Sequence, residues 1–255
     1  MTMTFERRIL LKGASNFRDL GGYATTEGKT VTWRRIFRAD ALTDLAPEDV
    51  AAILDLNIGD VFDLRTAKEL EFLGANPLVE HGVRHHHVPF VPEIGLDRDG
   101  AAVPAARPAP DDHAAHATGY LEMLERGKGT VGRVLTHLAE APEQGAVFHC
   151  TGGRDRTGMT AALILSVLGV PRATIEADYA LTTEYLEFNE DRRNRMQELF
   201  GPITVPAGRL VTYAEVMRLT LEGLDERYGS PEAYLEDAGV TRDHQDALRR
   251  TYLDE

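Results

Sequence analysis

The spacing of apolar positions changes period repeatedly along the chain. Residues 30–40 (TVTWRRIFRAD) are rich in β-branched and aromatic side chains and predict a strand. Residues 45–58 (LAPEDVAAILDLNI) switch to helical spacing, with Pro47 in the first turn and Gly59 just past the end. A short buried strand follows at 59–66 (GDVFDLRT), then a helix at 66–73 (TAKELEFL) closed by Gly74. Residues 82–92 (GVRHHHVPFVP) predict another strand, ended by Pro89 and Pro92. Residues 120–142 are helical in period, with breaks expected at Gly127 and Gly129. The last strand is GAVFHC at 145–150, followed by a mostly apolar helix at 156–169 that stops at Gly169 and Pro171. From Arg172 onward the pattern is helical, broken at GPITVPAG (201–208).

Strands that alternate with helices predict an α/β fold. The expected core is a central, mostly parallel sheet of four to five strands flanked by helices, with a mostly helical C-terminal third. One domain over 1–255 accommodates these elements. Residues 92–112 are dense in Ala, Pro, Gly and Asp and read as a long loop insert. Residues 182–200 carry Leu186, Asn189, Arg193, Met196 and Phe200 at helical spacing. They fit a solvated helix packed by one stripe, or a helical lid near 182–218.

Composition removes several classes of function. The 255 residues carry a net charge of −13, which argues against a broad nucleic-acid surface. The longest apolar run is too short to span a bilayer, so no integral membrane segment is expected. No signal peptide is legible, and the single cysteine excludes an internal disulfide, so a reducing cytoplasm is the expected compartment. Export without a signal peptide leaves no mark in a sequence. Long-range repulsion of acidic substrates is screened over about 8 Å at physiological salt, so a local arginine cluster can still hold a phosphate.

Such a cluster surrounds the single thiol. In HCTGGRDRTG a strand ends at His149 and a helix begins near Arg156. Ligands of parallel sheets bind at the carboxyl ends of strands, and a helix N-terminus offers unpaired N–H groups and partial positive charge. Gly152 and Gly153 allow a tight turn whose amides converge with those of Thr151 and Arg154 on one point. The same field, with Arg154 and Arg156 nearby, favours the thiolate of Cys150. Five residues separate Cys150 from Arg156, which places a planar guanidinium fork over the loop, suited to two phosphate oxygens. Thr157 can donate its hydroxyl to the sulfur as it leaves.

The full string resembles the atypical tyrosine-phosphatase family of bacteria and fungi, whose loop reads His-Cys-x-x-Gly-Lys-Asp-Arg-Thr-Gly. Four companions match in the same order: NFRDLGGY (16–23), IFRADAL (36–42), VFDLRT (61–66) and DYALTTEYL (178–186). The resemblance implies a cysteine-phosphatase-like fold and hydrolysis of phosphate monoesters through a cysteinyl-phosphate. Phosphotyrosine in proteins is the implied substrate, with phosphoserine, phosphothreonine or phosphoinositides as further ones. It implies no cofactor and no metal. It makes Asp155 and Asp63 both candidates for the proton donor, with Asp155 favoured and Asp63 expected to assist or to orient Arg156. It also lends weight to the lid, which some members carry. Arg154 departs from the family's lysine, and the Trp-Pro-Asp loop of eukaryotic tyrosine phosphatases is absent, since the only tryptophan is Trp33, followed by two arginines.

Other patterns have plainer readings. His149 is expected to bond the loop backbone. In RHHHV, His85 and His87 share one face of a strand and His86 points the other way. Partly buried polar residues explain these better than a metal site, for which His81 would be the nearest helper. GRDRTG (153–158) begins like a nucleotide loop, but Met159 and Thr160 stand where that motif needs Lys and Ser or Thr. Gly21–Gly22 reads as a turn tied by Arg18 and Asp19. Two rival functions remain: a rhodanese-like sulfurtransferase, disfavoured by the Arg156–Thr157 pair, and a non-catalytic phosphate-binding module, disfavoured by intact Cys150, Asp155 and Arg156.

Overall fold

The computed structural model describes residues 5–91, 108–109, 111–140, 143–187, 194–195, 198 and 211–254. In chain order the elements are β1 (Arg18–Asp19), β2 (Thr30–Val31), β3 (Ile36–Ala39), α1 (Pro47–Leu54), β4 (Ile58–Asp63), α2 (Ala67–Leu73), a 3-10 turn (Pro77–His81) and β5 (Arg84–His87). They continue with α3 (His113–Glu140), β6 (Gly145–His149), α4 (Asp155–Val167), α5 (Arg172–Ala180) and α6 (Thr182–Tyr185). The C-terminal part holds α7 (Ala214–Tyr228), α8 (Pro231–Asp237), α9 (Arg242–Tyr252) and β7 (Leu253–Asp254).

The central sheet has five strands in the order β1-β3-β6-β4-β5. β3, β6, β4 and β5 are mutually parallel, and β1 lies antiparallel on β3. This is the mostly parallel α/β architecture that the alternation predicts. The central strands β4 and β6 are buried at every position, as expected where helices cover both faces. Odd positions Val61 and Val147 join Val50 and Ile53 of α1 in one core. Even positions Phe62 and Phe148 join α3, α4, α5, α7, α8 and α9 in the larger one. Full burial of each phenylalanine is worth about 1.5–3 kcal/mol. Cys150 keeps the parity of Ala146 and Phe148, so its side chain belongs to the larger side. A two-stranded pairing of β2 with β7 ties the C-terminus back.

The parallel strands end in register: Ala39 pairs with His149, His149 with Asp63, and Asp63 with His87. One edge of the sheet therefore presents four strand ends side by side.

Several local readings need correction. Residues 30–40 do not form one strand; Arg34, at φ 64°, turns the chain between β2 and β3. Helix α1 is capped at Asp55 and the chain is then turned by Asn57, at φ 56°, while Gly59 lies inside β4. α3 runs unbroken for 28 residues through Gly127 and Gly129. Gly127 and Gly132 serve contact: a Cβ would meet the Phe90 ring at 2.5 Å or the Ala238 carbonyl at 2.1 Å. Asp19 does tie the Gly21 turn, accepting its N–H at 2.7 Å, but Arg18 points elsewhere. Most of the 92–112 insert and the middle of 182–218, including the break at 201–208, lie outside the described residues. The two flanks of the latter segment are joined, since Thr212 N–H donates to Thr183 Oγ1 at 2.7 Å.

Candidate active site

The site forms where β6 gives way to α4. The carbonyls of residues 151–153 all point into the protein. Ala41 N–H donates to Thr151 O at 3.1 Å, Asn16 Nδ2 to Gly152 O at 3.3 Å and Gly153 O at 3.1 Å, and Arg38 Nη2 to Gly153 O at 2.9 Å. In a trans peptide the N–H points opposite to the C=O. The N–H groups of Gly152, Gly153 and Arg154 are thereby turned to the other side, where the free amides of the α4 N-terminus also lie. Gly153 sits at φ 63°, and a Cβ there would strike Ala39 O at 2.4 Å. Only glycine fits.

The supports under the loop come from the companion motifs. Asp178 accepts from Arg18 Nε at 3.0 Å, Tyr23 Oη at 3.0 Å and Arg38 Nη1 at 2.6 Å. Burial opposes its charge, yet Arg18 and Arg38 hold it well below the usual carboxylate range. Asp40 accepts Asn16 N–H at 3.0 Å. The two carboxylates fix Arg38 and Asn16, the side-chain donors that hold the loop carbonyls.

Cys150 stands at the floor, 2% exposed. Arg156 is 8% exposed and pairs with Glu69: Nη1 to Oε2 at 2.6 Å and Nη2 to Oε1 at 2.8 Å. Its Nη1 also donates to Leu64 O at 3.3 Å. Three of five N–H donors are thus used. The remaining two, on Nε and Nη2, share one edge of the guanidinium and form a second fork. Glu69 in turn accepts from Thr151 Oγ1 at 2.5 Å and Thr66 N at 2.8 Å. Burial would raise its pKa, but Arg156 and Thr151 bring it down to about 2.

Arg154 lies over the loop with Nε 2.8 Å from Asp155 Oδ1. Tyr120 of α3 donates to the same oxygen and meets Tyr179 Oη at 2.7 Å. Burial works to raise Asp155, and Arg154 and Tyr120 outweigh it, leaving it at about 2. Thr157 Oγ1 is buried with no hydrogen-bond partner, a donor still available on the first turn of α4. His149 Nδ1 lies 3.1 Å from Cys150 O, the expected backbone bond, and burial lowers its pKa to about 4.

Asp63 is not with them. It is fully buried behind the strand ends, where Arg65 grips it through Nε at 2.8 Å and Nη2 at 2.5 Å. Burial opposes its charge, but the two-pronged Arg65 fork holds it far below the usual range. The carboxylate that orients Arg156 is Glu69. The signal was present in the sequence, since Thr66 and Glu69 have the spacing of a capping box, which the structure shows.

The sequence model of the tyrosine phosphatase family matches residues 9–254. The chain belongs to that family. Among tyrosine phosphatases, the triple specificity protein phosphatase PtpB of Mycobacterium tuberculosis is 28% identical over 95% of this chain and 98% of its own length. A tyrosine-protein phosphatase of Nostoc commune is 30% identical over 51% of this chain and 46% of its own. The crystal structure of TpbA from P. aeruginosa matches 79% of this chain and 96% of that chain, at 15% identity and a TM-score of 0.31. That superposition is too loose to bear on the site. Membership explains why Asn16, Arg38 and Asp178 fall in three motifs far apart in sequence: Asn16 and Arg38 hold the loop carbonyls and Asp178 holds Arg38, while Glu69 stands three residues past the fourth motif and holds Thr151.

Proposed function

We propose that this tyrosine phosphatase hydrolyses phosphate monoesters through a phosphorylated Cys150, with phosphotyrosine in proteins as its main substrate. The observation that carries the reading is the Nε/Nη2 edge of Arg156 that Glu69 leaves unused, on a guanidinium close enough to Cys150 for their charges to interact, beside a loop whose carbonyls at 151–153 are turned away. A phosphoryl group held there meets donors on its equatorial oxygens and a sulfur in line with the leaving oxygen.

In the first step the Cys150 thiolate forms an S–P bond as the P–O bond to the leaving alcohol or phenol breaks. Asp155 gives its proton to the leaving oxygen. In the free protein Asp155 is ionised, because Arg154 and Tyr120 hold it so. A bound phosphate dianion beside it, and Arg154 turning from Asp155 to the phosphate, both push its pKa upward. Water then cleaves the S–P bond, with Asp155 taking the proton back. Thr157 donates to the departing sulfur. Asp63 has a structural part, since its fork to Arg65 leaves it no route to the loop.

Arg154 in place of the family's lysine offers a planar fork at the rim, which suits substrates with a second phosphate. Phosphoserine, phosphothreonine and phosphoinositides are further substrates, in line with the name of the mycobacterial relative. No observation favours sulfur transfer or a non-catalytic module. The family match over 9–254 supports one phosphatase domain over the chain. No described helix is long and apolar enough to cross a membrane. A panel of phosphotyrosine, phosphoserine and phosphothreonine peptides beside phosphoinositides tests the reading. Turnover is expected with phosphotyrosine and absent in Cys150→Ser; turnover surviving in Cys150→Ser removes the mechanism.

A further inference from the structure

Far from the loop, a second group of side chains has the geometry of a metal site. Asp60 and Phe62 share the face of β4 that α3 covers, and Phe62 pairs with His86 across the β4–β5 ladder. His86 therefore projects to that same face, opposite to His85 and His87. Its ring stacks on Phe62 at 4.8 Å. His137 descends from α3 and meets Phe62 edge-on at 5.1 Å. His86 Nε2 lies 2.7 Å from Asp60 Oδ1, and His137 Nε2 lies 3.5 Å from the same oxygen.

We propose that Asp60, His86 and His137 form a binding site for a divalent first-row transition cation, zinc before others, between the β4–β5 edge and α3. Donors about 2.0–2.1 Å from a tetrahedral zinc stand roughly 3.3–3.4 Å from one another. The two distances found bracket that value, and all three donor atoms lie within 4.8 Å of one another. A second observation points the same way. His137 Nε2 is shielded from solvent and makes no hydrogen bond among the described residues, so in the Nδ1–H tautomer its lone pair is open to a cation in this cluster. Two imidazoles and one carboxylate suit zinc rather than calcium or magnesium, and they leave a fourth position for water.

Arg84 sets the strength of the site. Its Nε and Nη2 reach the two oxygens of Asp60 at 2.8 and 2.6 Å, which orients the carboxylate but places a positive charge beside the cation. Its side chain is 53% exposed and free to swing outward while Asp60 stays in place. The cation would pin the edge strand β5 and the central strand β4 to α3. Asp60 lies opposite Ala146, four residues short of Cys150, so the site sits about 13 Å from the thiol. Zinc here and phosphatase chemistry at Cys150 stand or fall separately.

The test uses Cys150→Ser protein, which removes the thiolate as a competing ligand, stripped with chelator and titrated with Zn2+ by calorimetry. One equivalent is expected to bind with a dissociation constant below about 100 µM. His137→Phe and His86→Phe, which keep a ring against Phe62, are expected to weaken binding at least tenfold. Arg84→Ala is expected to tighten it by roughly tenfold, since a like charge is removed nearby. Binding weaker than the stated limit, a loss below tenfold in His137→Phe, or weaker binding in Arg84→Ala overturns the proposal. A readout without ligand substitution uses Co2+ on the Cys150→Ser protein. Intense visible bands of a tetrahedral ion support the site, and the faint bands of the hydrated ion overturn it.

Discussion

Arg156–Glu69 and Arg65–Asp63 are both buried, two-pronged arginine–carboxylate pairs at the carboxyl edge of the sheet. They differ in which edge of the guanidinium the carboxylate takes. Asp63 takes the Nε/Nη2 edge of Arg65, whose Nη2 also donates to Gly74 O at 3.0 Å. Arg65 Nη1 keeps no hydrogen-bond partner, but it is buried in a side chain with no exposure and is closed to a ligand. Glu69 takes the Nη1/Nη2 edge of Arg156 and leaves Nε/Nη2 open beside Cys150. The same residue types thus make a structural knot in one place and a poised anion clamp in the other. Residue type and motif membership do not distinguish the two; the edge of the fork does.

The largest effect that sharpens this contrast is expected from Arg156→Lys. The charge stays and Glu69 keeps a partner, but the spare fork is gone, so kcat should fall about 10³-fold, or about 4 kcal/mol, with folding retained. Steady-state kinetics beside circular dichroism checks it, and a drop below tenfold would break the contrast. Next comes Asp63→Asn, which leaves the buried Arg65 without its counter-charge. It should cost about 3 kcal/mol of stability in denaturant unfolding, while the folded enzyme turns over within a few-fold of normal. Asp155→Asn should do the reverse, lowering kcat about 10²-fold with little change in stability, and it alone should erase the limb of the pH–rate profile that reports the proton donor.

The pH dependence of stability is the next test. Burial depresses His149 to about 4, so its neutral form stabilises the fold above its ordinary value near 6.5, and that contribution is lost as pH falls toward 4. Glu69, depressed to about 2, contributes stability above its ordinary value near 4.5 that is lost as pH falls toward 2. Thermal midpoints should therefore decline in two stages on acidification, and Glu69→Gln should make only the lower one shallower, since Asp63, Asp155 and Asp178 still contribute to it. The smallest effect is expected from Tyr120→Phe. Loss of one donor to the charged form of Asp155 raises its pKa, moving the proton-donor limb to higher pH with about a threefold change in kcat.

How much of this was legible in the sequence follows from how local each signal is. The strand ends, the loop from Cys150 to Arg154 and the start of α4 lie in one run, and glycines, periodicity and charge there point to one geometry. Glu69 leaves little mark in the sequence because its tie to Arg156 spans 87 positions, and only its capping-box partnership with Thr66 is local. Asp63 reads as a site residue because it ends a strand in a shared motif, and no spacing rule shows which arginine a strand-end carboxylate will grip. Gly127 and Gly129 read as breaks because propensity is blind to tertiary contact; Phe90 packed on Gly127 and Ala238 on Gly132 make a continuous helix the better solution. Period two put His86 on the face away from His85 and His87 but could not show Asp60 and His137 waiting there.

The central claim is that the sulfur of residue 150 becomes covalently phosphorylated during turnover. Rapid acid quench of the enzyme with a phosphotyrosine peptide, followed by mass spectrometry, tests it directly. The account predicts one phosphoryl group on Cys150 in the first turnover, accumulating further in Asp155→Asn when the leaving group needs no proton, and none in Cys150→Ser. Release of phosphate at the normal rate with residue 150 unmodified at every quench time would contradict it.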